Sequence, residues 1–149
     1  KMISAAPTPA TLPAVANSSG AMPSGPTGDW KLVFNENFEG SFNSSVWSTG
    51  LWFNATINNE LQAYRPENVI YSGGNLQLKA ENRSTVTTWG DAMNYASAAI
   101  HTRNKFTFTY GAIEARLRAP KGRGLMPLFQ LLPHLKRSPP EITIFQLLG

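Results

Sequence analysis

The sequence contains no cysteine and only two histidines, His101 and His134, which lie far apart in different settings. Without thiols the chain has neither a disulfide framework nor a thiolate metal site. Two isolated histidines also give little support to a histidine-based metal site or to a Ser–His hydrolase triad. Stabilisation by disulfides or a metal site, and catalysis by a Ser–His triad, are therefore poorly supported.

Charge is sparse, and long apolar runs are missing. Charged residues make up 15% of the chain, the net charge is +4, and the nearest thing to a basic cluster is Lys136-Arg137. A nucleic-acid groove needs a stripe of basic side chains, so no nucleic-acid partner is predicted. No apolar run approaches the roughly 18 residues of a membrane-spanning helix, so no membrane span is predicted either.

Composition divides the chain into two parts. Residues 1–29 are rich in Ala, Pro, Ser, Thr and Gly, and they hold no periodic apolar pattern. Such a segment cannot bury enough surface to offset its ordering entropy, which predicts a flexible leader or linker of the kind found on secreted proteins. Residues 30–149 are long enough for one domain with its own core.

Beyond residue 29 the pattern favours β-structure. Residues 68–71 and 76–80 alternate with period two on both sides of the Gly-rich turn at 72–75, which predicts a hairpin. Other short apolar or alternating runs occupy residues 30–34, 99–102, 105–108, 111–118, 125–132 and 141–148. No stretch sustains a 3.6-residue period, so we predict an all-β chain of the sandwich type.

The last run, residues 140–149, presents a carboxylate. Side chains alternate along a strand, so Glu141 and Thr143 share one face while Ile142 and Ile144 point into a core. A Glu that leaves a sheet beside a polar partner, with apolar residues behind it, is how a β-sandwich presents a carboxylate to a groove.

The face of the sheet on which Gln146 lies depends on the regularity of that strand. Strict alternation would send it to the core face. A one-residue bulge near Phe145 would return Gln146 to the face of Glu141. We therefore predict a bulged strand.

Six motifs in order resemble glycoside hydrolase family 16, in its laminarinase or endo-β-1,3(4)-glucanase branch. They read NNELQAY, PENV, GGNL, YGAIEARLRAP, GRGLMPLFQLLP and PPEITIF, and the resemblance to the N-terminal part of the family runs from about residue 30 to 149. It implies a concanavalin A-like jelly-roll with a β-glucan groove. It also implies retaining hydrolysis by two carboxyl groups on a bulged strand, about 5–5.5 Å apart.

Carried over from the family pattern E-x-D-x-x-E, Glu141 stands at the nucleophile position. Thr143 stands where the family has Asp, and Gln146 stands where it has the acid/base Glu. An amide neither protonates a leaving oxygen nor deprotonates water, and losing such a group typically costs about 10²–10⁴-fold in rate. The resemblance thus implies a β-glucanase scaffold with weak or absent catalysis.

The resemblance also nominates substrate-binding positions, which are Asn59, Glu60, Arg116, Met126 and Gln130. Met126 and Gln130 replace two Trp on which sugar rings stack in the family. Each position has a structural alternative: the Asn59-Glu60 pair could close a turn, Arg116 could pair with Glu114, and Met126 could simply pack.

Asn-X-Ser/Thr sequons mark candidate N-glycosylation sites at Asn17, Asn43, Asn54 and Asn82, a mild indication of a secretory route. We predict an extracellular or cell-wall location. Residues 35–38 resemble the family's opening motif, near which a structural calcium often sits. Because Asn replaces an acid there, no cofactor is predicted and calcium stays an open alternative.

Two functions remain open at this stage. One is an endo-β-glucanase relic acting on β-1,3- or mixed-linked glucan, and the other is a non-catalytic glucan-binding or assembly protein on the same scaffold. The family domain is longer than residues 30–149, and half a sandwich leaves unpaired edges and an exposed apolar face. We expect either a fragment or a further chain that completes the jelly-roll.

Overall fold

The computed structural model describes residues 27–51, 58–134 and 139–149, and within these ranges it contains β-strands and one 3-10 helix but no α-helix. The prediction of an all-β chain is confirmed. No helix in the described part of the chain is long and apolar enough to cross a membrane. The elements in order are β1 (Ser48–Thr49), β2 (Gln62–Tyr64), the 3-10 helix Pro66–Asn68, β3 (Val69–Ser72), β4 (Asn75–Leu78), β5 (Glu81–Val86), β6 (Ala92–Ser97), β7 (Ile100–His101), β8 (Leu128–Leu131) and β9 (Ile142–Gln146).

These strands form four small sheets. Strand β1 pairs antiparallel with β7, β3 with β4, and β8 with β9. The remaining sheet has the order β2-β6-β5, in which β6 runs parallel to β2 and antiparallel to β5. The parallel pair means that the chain enters β2 and β6 from the same end of this sheet.

The predicted hairpin at residues 68–80 is confirmed as β3–β4. Ser72 pairs with Asn75 across a two-residue turn, and Gly73 and Gly74 have φ angles of 57° and 69°. Two successive positive φ angles define the tight turn whose twist matches that of antiparallel strands, and glycine adopts them without steric cost.

An aromatic cluster forms the core that joins the first described segment to the middle of the chain. Phe34, Val46, Trp47 and Phe106 are buried together. The Phe34 ring meets the edge of Trp47 at a centroid distance of 5.9 Å and lies 4.6 Å from the ring of Phe106. Such aromatic contacts combine large apolar burial with preferred ring geometry. Partly buried side chains surround the cluster, namely Val33, Phe38, Phe42, Ile100 and Phe108.

Side-chain hydrogen bonds hold this segment where regular strands are short. The carboxylate of Glu36 accepts from the backbone N–H of Phe38 at 2.8 Å and from the indole N–H of Trp47 at 3.1 Å. The ammonium of Lys105 donates to the carbonyls of Ser44 and Trp47 at 2.6 and 2.5 Å. These bonds satisfy backbone groups that a longer strand ladder would otherwise pair.

A buried amide joins the β3–β4 hairpin to β5. Asn68 is only 1% exposed, and its Nδ2 donates to the carbonyl of Lys79 at 3.0 Å and to Oε1 of Glu81 at 3.1 Å. Its Oδ1 accepts from Arg83 at 2.6 Å. Hydrogen bonds from Lys79 and then from Arg83 lower the pKa of Glu81 to about 2, so this carboxylate stays charged and keeps accepting.

Three expected strands and one expected burial pattern are wrong. Residues 30–34 and 111–118 contain only isolated bridge residues, and 105–108 contain no strand. In the described chain these runs lack the continuous partner that a β-ladder needs. Ile142 and Ile144, expected in a core, are 61% and 40% exposed because β8 and β9 form a two-stranded sheet of their own.

Replacing the buried amide tests the junction at Asn68. We expect Asn68→Ala to lower the free energy of unfolding by about 2–3 kcal/mol, because it leaves donors and acceptors of a charged network unpaired. Urea unfolding monitored by tryptophan fluorescence measures this change. Asn94→Ala, at an exposed position of β6, is the matched control and should change stability by less than about 0.5 kcal/mol. Equal effects of the two substitutions would contradict the structural role of Asn68.

Candidate functional site

The β8–β9 sheet has an irregular register. Leu128 pairs with Gln146 and Phe129 with Phe145, whereas the next residue of β8, Gln130, pairs with Thr143. Ile144 is therefore the extra residue of a one-residue bulge in β9. The predicted bulge is present and lies next to the expected position.

The bulge decides which side chains share a face. Neighbouring pairs in a ladder alternate between the two faces of a sheet, so the pair of Gln130 with Thr143 lies on the same face as the pair of Leu128 with Gln146. Glu141 precedes Ile142 and alternates back to the face of Thr143. The three positions predicted for catalysis thus project from one side of the sheet.

Backbone pairing continues beyond the two strands. The N–H of Leu147 donates to the carbonyl of Pro127 at 3.2 Å, and the N–H of Gly149 donates to that of Leu125 at 3.0 Å. The segment before β8, which contains Met126, therefore runs alongside the end of β9.

Met126 and Gln146 are in contact. The side-chain Nε2 of Gln146 lies 3.4 Å from the sulfur of Met126 and donates a weak hydrogen bond to it. Gln130 is the cross-strand neighbour of Thr143 on the same face. The structure thus gathers on one sheet the positions predicted for catalysis and the two positions predicted to have lost a Trp, which are Glu141, Thr143, Gln146, Met126 and Gln130.

Asn59 and Glu60 lie elsewhere, at the entry to β2. Asn59 has a φ of 57° in an exposed turn, which supports its structural reading as a turn residue. Glu60 Oε1 accepts a 3.1 Å hydrogen bond from the hydroxyl of Tyr64, which in turn accepts one from Gln62 Nε2 at 3.1 Å. Burial, with a further contribution from Glu60, raises the pKa of Tyr64 to about 12, so its hydroxyl remains a donor.

Arg116 lies in the exposed irregular segment 114–120, apart from any regular strand. The alternating pattern of residues 111–118 predicted a strand there, and the structure has none. That pattern therefore does not tell where the Arg116 side chain lies relative to a groove. The sequence analysis did not predict the side-chain hydrogen bonds that link Glu60, Tyr64 and Gln62. The alternation of Glu60, Gln62 and Tyr64 along one strand face was the signal that could have revealed it.

Two of the four sequons lie within the described residues. Asn43 and Asn82 are both exposed, and Asn43 Oδ1 accepts from the hydroxyl of Ser45 at 2.6 Å. Asn17 and Asn54 lie outside the described residues. Among the described side chains no group of three or more His, Cys, Asp or Glu could hold a metal ion. Glu36, in the segment similar to the calcium-associated motif, is engaged with Phe38 and Trp47.

Known proteins similar to this chain include enzymes named for β-glucan cleavage. It is 34% identical over 109 residues to a β-glucanase of Rhodothermus marinus, a match that covers 70% of this chain and 36% of that protein. It is 35% identical over 102 residues to the clotting factor G alpha subunit of Tachypleus tridentatus, which covers 67% of this chain and 14% of that protein. No family model matches the chain.

A solved structure gives the same relationship. The laminarinase catalytic domain from Thermotoga maritima MSB8, crystallised with cetyltrimethylammonium bromide, superposes with a TM-score of 0.70 at 30% sequence identity. The superposition covers 82% of this chain and 53% of that one, so the chain spans about half of the laminarinase domain. The two chains are therefore similar in fold as well as in sequence.

The bulge can be tested without any substrate. Deleting Ile144 removes only the extra residue, so Phe145 should still pair with Phe129 and Thr143 with Gln130, and Glu141, Thr143 and Gln146 should stay on one face. Nuclear Overhauser contacts between the Gln146 side-chain amide and the Met126 methyl group report on one half of the strand. Contacts from Thr143 to Gln130 report on the other half, and both sets should persist in the deletion variant. Ile144→Ala keeps the extra residue and is the control, which should also keep both sets. Loss of the contacts from Thr143 to Gln130 in the deletion variant alone would contradict the assignment of Ile144 as the extra residue.

Proposed function

Since the chain is a relative of the laminarinase-like β-glucanases of glycoside hydrolase family 16, we propose that it acts on β-1,3- or mixed-linked glucan as an endo-β-glucanase-type domain whose hydrolysis is weak or absent. The observation that carries this proposal is the bulged strand β9. It places a carboxylate, a hydroxyl and an amide on one face, where a retaining glucanase needs two carboxyl groups.

The nucleophile position supports the first half of a retaining reaction. Glu141 is exposed at the start of β9, where a carboxylate can approach the anomeric carbon of a bound sugar. Attack there would form a glycosyl ester and expel the leaving oxygen. That departure needs a proton from the second group of the pair.

Gln146 cannot supply that proton. Its amide is not acidic at any physiological pH, and its Nε2 already donates to the sulfur of Met126. Thr143 carries no charge with which to tune the ionisation of Glu141. Both steps that need proton transfer are therefore slowed by about 10²–10⁴-fold relative to an intact pair.

A non-catalytic glucan-binding or assembly role is the second candidate. The substitution at Gln146 favours it, because binding needs no acid. The Tachypleus tridentatus relative is named as a clotting factor subunit rather than as a hydrolase, which supports a role of this kind for chains of this type.

We also propose that the protein works outside the cell or in the cell wall. The Pro-, Ala- and Ser-rich composition of residues 1–29 supports export. Exposure of Asn43 and Asn82 is compatible with N-glycosylation at these two sequons.

Restoring the missing groups tests the lost catalysis. We expect the chain itself to release little reducing sugar from laminarin, and the Thr143→Asp, Gln146→Glu double variant to release about 10²–10⁴-fold more. Adding Glu141→Gln to the double variant should abolish the gain, because the nucleophile is then removed. Turnover of laminarin by the unmodified chain at ordinary glucanase rates would overturn the proposal of impaired catalysis.

An activated substrate separates the nucleophile from the acid. A dinitrophenyl β-laminaribioside has a leaving group that departs without protonation, so the unmodified chain should release one burst of dinitrophenol if Glu141 is competent. Glu141→Gln should give no burst. A burst of the same size in both proteins would show that Glu141 is not the nucleophile.

The exposed apolar face of the β8–β9 sheet supports a further proposal about assembly. The face opposite to Gln146 carries the pairs of Phe129 with Phe145 and of Leu131 with Ile142, and Ile142 is 61% exposed there. The match covers 53% of the laminarinase chain. We propose that another chain covers this face and completes the sandwich. Light scattering of the purified chain should then give a mass above the 16.3 kDa of a single copy. A monomeric mass together with a cooperative melt would contradict it.

A further inference from the structure

Trp89 is unusually exposed. Its residue surface is 70% accessible, and it sits in the turn between β5 and β6. Tryptophan is on average a well-buried residue, because its indole is the largest apolar surface that a side chain offers. An indole held in water at the tip of a hairpin is therefore an informative exception.

The turn that carries this indole is fixed by a buried hydroxyl. Thr87 is 8% exposed, and its Oγ1 donates to Oδ2 of Asp91 at 3.0 Å and accepts from the N–H of Asp91 at 3.1 Å. The same oxygen accepts from the N–H of Trp89 at 3.3 Å. Backbone bonds from Thr87 to Asp91 at 2.9 Å and from Gly90 to Thr87 at 3.0 Å close the turn.

Such a turn presents the indole at low entropic cost. The backbone of Trp89 is already held by its neighbours, so a ligand that contacts the ring need order only two side-chain torsions. Rigid, amphipathic aromatic side chains on fixed loops are efficient contacts for this reason.

Topology places this turn at the same end of the sheet as Asn59 and Glu60, two of the positions predicted to bind substrate. Gln62 pairs with Tyr95 and Tyr64 with Ser97 in parallel register, so the residues that precede β2 and those that precede β6 lie at the same end of the sheet. Asn59 and Glu60 precede β2, and Trp89 precedes β6. One end of the β2-β6-β5 sheet therefore combines an exposed indole with an amide and a carboxylate.

We propose that Trp89 is a stacking platform for a glucose ring of bound β-glucan, at the end of the sheet that carries Asn59 and Glu60. This inference rests on the proposed function. The axial C–H groups of a β-glucose ring form an apolar face that packs on indole, while amide and carboxylate groups bond its hydroxyls. Met126 and Gln130 offer no ring, so those two positions supply no stacking surface of this kind.

Affinity electrophoresis in gels containing laminarin tests the platform. The chain should be retarded by laminarin, and Trp89→Ala should weaken binding about tenfold, the change typical of a lost aromatic anchor. Trp89→Phe keeps a ring and should bind within about threefold of the unmodified chain. Tyr110→Ala, which removes an exposed aromatic from a different segment, is the control and should leave the retardation unchanged.

Fluorescence titration with a laminari-oligosaccharide supplies a second readout. Binding should change the tryptophan emission of the unmodified chain, and this change should be absent from Trp89→Phe. Unaltered thermal unfolding of the variants shows that they fold. If the unmodified chain is retarded and Trp89→Ala is retarded equally, the platform is refuted while the proposed function stands. If the unmodified chain shows neither retardation nor an emission change, glucan binding itself is refuted, and the platform with it.

Discussion

The register of β9 against β8 is the constraint on which the candidate site depends. One additional residue, Ile144, turns Gln146 to the face of Thr143 and lets Glu141 share that face. If β9 paired every residue in strict alternation, with no bulge, Glu141 and Gln146 would lie on opposite sides of the sheet and could not act on the same ligand. The backbone therefore brings the two positions to one face, as the proposed two-group site requires.

The contact between Gln146 and Met126 adds a chemical reason to treat these two substitutions together. A thioether next to the amide is soft and weakly accepting, and an amide tolerates it. A carboxylate in the same place would find no hydrogen-bond donor in the sulfur.

Sequence reasoning reached the features that local patterns determine. Glycines at 73 and 74 predict a tight hairpin because few other residues adopt two successive positive φ angles. The bulge followed from the need to place Gln146 beside Glu141. Residues 111–118 show where this reasoning fails: alternation states a preference, whereas a strand also needs a partner. Likewise, the polar Asn68 is buried because its partners come from β5, which no local pattern indicates.

The two proposed kinds of glucan contact lie on different sheets of this chain. On the β8–β9 sheet the proposal gives Gln146, Met126 and Gln130 the positions of a proton donor and of two ring platforms. At the end of the β2-β6-β5 sheet the turn of Trp89 is built from specific side-chain bonds that only Thr87 and Asp91 provide. Trp89 is 70% accessible, so its indole contributes little apolar burial to the fold. Stacking on a sugar ring, as proposed, would bury that surface at the cost of ordering two side-chain torsions.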